Sequence, residues 1–182
     1  MKILLGFVPF FAFAVASALG YSSLGLIAGA VVSAAMLVWN KVSGRSLKLL
    51  EVGSCLLFAA LAVYAIGSGA SLSVGLVRLC VDGGLLLIAL ASVLIGRPFT
   101  IDYAKESVAP ELWSSPRFLQ TNRMISLAWA AAFAIIVVAD VALWKGLMTS
   151  RHVVLVVAGA IYAAIKFTTW CPAQVRKQSS AS

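Results

Sequence analysis

Arg78 and Asp82 lie four residues apart inside one apolar run of the chain. That spacing puts both side chains on one face of a helix. Ionisable groups inside a membrane segment are costly and mark candidate functional sites. Asp82 could accept a proton or a cation, with Arg78 as its gate or as the anchor for an anion. Gly83 and Gly84 follow directly, and paired glycines weaken a helix. Interrupted helices of this kind form the sites of many transporters. Counted from Ser71, Arg78 lies roughly 10 Å and Asp82 roughly 16 Å along the helix. Asp140 falls roughly 6 Å from the end of a later apolar run, so it and Arg78 lie at similar depth. The same three residues also suit a buried ion pair that fixes helix register.

Other chemistry is thinly represented. Cys55, Cys80 and Cys171 form no CxxC pair, and His152 is the single histidine. No metal site, cofactor or catalytic residue is therefore expected. The chain has no GxGxxG after a strand, no Walker lysine, no GxSxG and no HExxH, which argues against an enzyme. Lys166 lies four residues before the end of the last apolar run and can snorkel to the headgroups. Glu51 stands at the start of another run, where it could pair with Lys48. Cys171 follows the last run, a position open to lipidation.

The elements that must position these residues follow from composition. The 182-residue chain is 62% apolar and only 11% charged, against roughly 45–50% and 25% in soluble domains. Neither a soluble globule nor a disordered chain has this balance. The expected fold is all-α: a single polytopic transmembrane helical bundle. A span needs about 20 mostly apolar residues. Six segments qualify, at about 3–20, 24–39, 49–67, 72–96, 124–144 and 153–170. The first also resembles a signal peptide, with Lys2, an apolar stretch and AVASALG. It carries one charge before the apolar run, and it is read as a span.

The net charge of +8, from 14 Lys and Arg against 6 Asp and Glu, serves to orient the chain rather than to bind nucleic acid. Lys41, Arg45 and Lys48 fall between spans two and three. Arg97, Lys105, Arg117 and Arg123 fall between four and five, and Arg176 and Lys177 follow span six. The loops YSS and SGAS carry no charge. Positive loops stay in the cytoplasm, so both termini are expected there, with Lys145 and Arg151 opposing the trend. Trp39, Trp113, Trp144 and Trp170 lie near segment ends, as interfacial aromatics do; Trp129 lies inside span five. Small residues recur at four-residue spacing in Gly25, Gly29 and Ser33 and again in Gly159 and Ala163, a pattern of close helix packing or of homo-oligomer contact.

The stretch 97–123 is the one long polar connection. Thr100 is expected to cap a helix over 101–108 that Pro110 ends. Ser115 before Pro116 is a helix start. Phe99, Ile101, Tyr103, Val108 and Trp113 alternate with charged residues, as in an amphipathic segment lying on the membrane face. Phe99, Tyr103 and Trp113 are candidates for partner contact, beside a bland reading as a structural connector.

The opening MKILLGFVPFFAFAVASALG, the loop GRPFTIDYAKE and the segment NRMISLAWAAAFAIIVVADVAL together resemble the intracellular septation protein A family of bacterial inner-membrane proteins. The resemblance implies a multi-pass inner-membrane protein with a role in envelope maintenance and septation. It implies action through division and cell-wall synthesis proteins, and brings no catalytic residues. Arg78, Asp82 and Asp140 match no motif of that family. A small transporter or channel using them, or an accessory subunit of a larger membrane complex, is the alternative.

Overall fold

The computed structural model describes residues 2–68 and 73–179, with side chains over 3–68 and 73–175. Residues 69–72, which hold the rest of the SGAS loop after Ser68 and the start of the fourth segment at Leu72, and the side chains of Arg176 and Lys177 lie outside the described residues. All regular structure among those described is helical. The helices are α1 (Val8–Ala18), α2 (Ser22–Val42), α3 (Leu49–Ser68), α4 (Val74–Leu94), α5 (Thr100–Ala104), α6 (Pro116–Trp144) and α7 (Ser150–Ser179). Five are long and apolar enough to cross a membrane: α2, α3, α4, α6 and Ser150–Val175 of α7. The chain is thus built as a multi-pass membrane protein.

The first apolar segment differs from the expected single helix. A 3-10 stretch, Lys2–Phe7, precedes the 11-residue α1. Pro9 explains the change, because it has no N–H for an α-helical bond to Leu5 and its ring crowds that carbonyl. Pro9 instead takes a place in the first turn of α1, where the missing donor costs nothing.

The chain divides into two units, residues 1–85 and 86–182, with the boundary inside α4. In the first, α2 packs against both α1 and α3. The core gathers Phe13, Leu26, Phe58, Ala62, Val77 and Val81. Phe58 is fully buried, with the rings of Phe10 and Phe13 at 5.0 and 5.9 Å. The small-residue stripe of α2 is what admits these rings. A methyl group at Gly29 would stand 2.6 Å from Phe58 Cδ1, and one at Gly25 3.1 Å from Phe13 Cδ2. In contrast, Gly159 and Ala163 of α7 are exposed.

In the second unit α6 and α7 form a hairpin. The buried face of α6 runs through Ile125, Trp129, Phe133, Ile136 and Asp140, at the three- and four-residue steps of one helical stripe. Trp129 is fully buried. Its Nε1 donates to Thr168 Oγ1 at 2.9 Å, and Phe133 stacks at 5.6 Å. That is why this one tryptophan sits mid-segment: the partner helix supplies an acceptor for the indole N–H. Cys171 is buried, 3% exposed, which makes it a poor lipidation target.

Candidate functional site

The expected intramembrane residues are divided between the two units of the chain. Arg78 and Asp82 are half-buried, one turn apart on α4 in the first unit. Asp140 is 1% exposed on α6 in the second. α4 runs unbroken from Val74 to Leu94 through Gly83 and Gly84, so the interrupted helix expected of a transporter site is not formed. The helix survives because tertiary packing outweighs the weak propensity of glycine. Gly84 is needed for contact, not for a break: a Cβ there would overlap the Leu57 side chain.

A polar cluster that sequence reading saw only in part joins α2 to α3. Lys48 and Glu51 are 5% and 2% exposed, with Lys48 Nζ 3.5 Å from Glu51 Oε1. Glu51 is therefore buried, and it pairs with Lys48 as the spacing suggests. Asn40 Nδ2 donates to Glu51 Oε2 at 2.6 Å. The Lys–Glu spacing of three was a visible signal; Asn40, eleven residues away, was not.

The best-defined polar architecture is the connector between α4 and α6. Gly96 ends the α4 helix with a φ of 75°, the left-handed conformation that glycine takes without strain. The Arg97 amide then donates to Ser92 O at 2.9 Å and the Gly96 amide to Val93 O at 3.1 Å, closing a Schellman turn. The same turn ends α1, α2 and α6 at Gly20, Gly44 and Gly146. At Gly96 it sends the chain sideways over the end of the helix. Ser92, fully buried, accepts from the Phe99 amide at 3.1 Å while donating to Ala89 O at 2.6 Å.

Thr100 does not cap its helix. The N-cap of α5 is Phe99, without a side-chain bond. Thr100 Oγ1 reaches instead to Asn122 O and Ser126 Oγ of α6, both at 2.9 Å. The helix is shorter than expected, stopping at Ala104. Pro110 opens a 3-10 turn, Pro110–Leu112, all of it exposed. Ser115 caps α6 as expected, accepting from the Phe118 amide at 3.3 Å, with Pro116 in the first turn.

Phe99 and Tyr103, expected as partner contacts, are 0% and 5% exposed. They hold the connector down and offer no outer surface. Trp113 is half-buried, with Nε1 donating to Val108 O at 2.9 Å. Lys105 Nζ lies 5.1 Å from its ring centroid, a cation–π distance. Between Gly96, α5 and the start of α6 the connector encloses a groove of about 270 Å³. Arg97, Asp102, Lys105, Trp113, Ser114 and Leu119 contribute to its walls.

Among the described residues no three His, Cys, Asp or Glu side chains cluster as metal ligands. Set against models of known protein families, curated protein sequences and solved structures, the chain has no significant match.

Proposed function

We propose that this chain is a non-enzymatic bacterial inner-membrane protein that supports envelope maintenance or septation through protein contacts. Six spans and two cytoplasmic termini belong to the same reading. The 3-10 stretch and α1 together reach about 28 Å, close to the thickness of the hydrocarbon layer. The observation that carries the reading is the pinned connector. Its inner side is tied to Ser92, Asn122 and Ser126, and the turn Pro110–Leu112 on its outer side is exposed, Leu112 by 54%. A fixed, exposed turn carrying Glu111 and Leu112 is a recognition element, because a rigid surface loses little entropy when a partner binds.

The test is complementation of a strain lacking the protein, with membrane levels checked by blot. Glu111→Lys with Leu112→Asp should abolish function at normal protein level, while Arg78→Gln and Asp82→Asn should complement. The reverse pattern would replace this reading with a second one, a small transporter. That alternative is favoured by one observation, the fully enclosed carboxylate of Asp140 in a membrane-length helix. In that case Asp140→Asn should also fail.

A further inference from the structure

The groove beside α5 is lined by charged side chains as well as apolar ones. Arg97 and Lys105 bring two positive charges to it and Asp102 one negative charge, so the walls carry a net +1. Immediately before Gly96, Leu94 and Ile95 are 84% and 65% exposed at the end of a membrane-length helix. Leu119, on the other wall, is 43% exposed. A cationic recess thus borders bare apolar surface at the level where a hydrophobic helix ends. A ligand that suits both is anionic at one end and apolar at the other.

We propose that this groove binds the phosphodiester headgroup of a glycerophospholipid. Arg97 and Lys105 take the phosphate, by the charge-assisted hydrogen bonds that guanidinium and ammonium groups give to phosphate oxygens. The acyl chains run past Leu94 and Ile95. The recess stands ready before binding. The Phe99 amide is held by Ser92, Thr100 by α6 and the Trp113 indole by the Val108 carbonyl, so little ordering remains to be done. The net +1 of the walls matches a headgroup with a single negative charge. The Asp102 carboxylate opposes a second phosphate charge and suits hydroxyl groups. Phosphatidylglycerol carries that single net negative charge, whereas phosphatidylcholine is zwitterionic with no net charge, so the net +1 of the walls favours the former. None of Pro110, Glu111 and Leu112 lines the groove, so substitutions at Glu111 and Leu112 and substitutions at Arg97 and Lys105 test partner contact and lipid binding separately.

The test is native mass spectrometry of the purified full-length chain in detergent, with phosphatidylglycerol or phosphatidylcholine of matched chains added. The wild type should retain phosphatidylglycerol in preference. Arg97→Gln with Lys105→Gln should lower that retention about tenfold, and Arg123→Gln, a cation outside the groove, should leave it unchanged. Asp102→Asn should raise retention, a gain that misfolding cannot produce. Equal retention of the two lipids, or undiminished phosphatidylglycerol in the double variant, would overturn the proposal. If sn-glycerol 3-phosphate binds through Arg97 and Lys105 while lipid is not retained, the phosphate chemistry holds but its source is a soluble ester, and the lipid assignment is overturned.

Discussion

Glu51 receives the Asn40 amide on one oxygen and faces the Lys48 ammonium with the other. Removing one member of a buried ion pair strands the other charge, at a cost of about 3 kcal/mol. Glu51→Ala should therefore lower the unfolding free energy in detergent by about that amount. Glu51→Gln strands the Lys48 ammonium as well but keeps a carbonyl for Asn40, so its loss should be smaller than that of Glu51→Ala by about 1 kcal/mol. Equal losses, measured by chemical denaturation, would mean that the lost charge accounts for the whole effect and the Asn40 hydrogen bond for none of it. At this scale legibility depended on sequence distance. The Lys48–Glu51 pair is local and was read from its spacing. Asn40 joins only because α2 and α3 fold back on each other, a register that spacing does not encode. Gly84 was misread for the same reason. Its effect on helix propensity can be judged from its neighbours in the chain, but its close approach to Leu57 cannot.

At the scale of elements, α5 has five residues, too few to persist as an isolated helix. It exists because Phe99 and Tyr103 are buried and Thr100 bonds to α6. Thr100→Val keeps the shape and deletes both hydrogen bonds. Local opening of the connector should then become about fivefold more frequent. Limited digestion with a glutamate-specific protease reads this directly. Cleavage at Glu106 and Glu111 should accelerate by that factor while the membrane helices stay intact, and an unchanged rate would show that the aromatic anchors suffice. The start of α6 at Ser115 and Pro116 was legible, because capping chemistry is local. The role of Thr100 was not, since its partners lie 22 and 26 residues away. The alternation of aromatic and charged residues was seen, but its apolar face was assigned to the membrane; Phe99 and Tyr103 are buried by protein.

For the whole molecule, the number of crossings has a simple parity. Six spans put both termini on one side of the membrane, and five put them on opposite sides. Epitope tags at each end, probed in intact and lysed spheroplasts, should both be reached only after lysis. A tag near Gly146 should be reached without it. An N-terminal tag accessible from outside would show that the Pro9-interrupted segment does not cross. The class of fold was legible from composition because the bilayer as solvent leaves helices as the one solution for such a chain. The count was harder, since one proline changes the geometry of the first segment. The same solvent contrast gives the molecule an internal optical reporter. Trp39, Trp144 and Trp170 are each more than half exposed, whereas Trp129 is fully buried against Thr168 and Phe133. Brominated acyl chains quench indole emission on contact, so in such lipids the surviving fluorescence of a Trp113→Phe variant belongs chiefly to Trp129, and its decay follows the parting of α6 from α7.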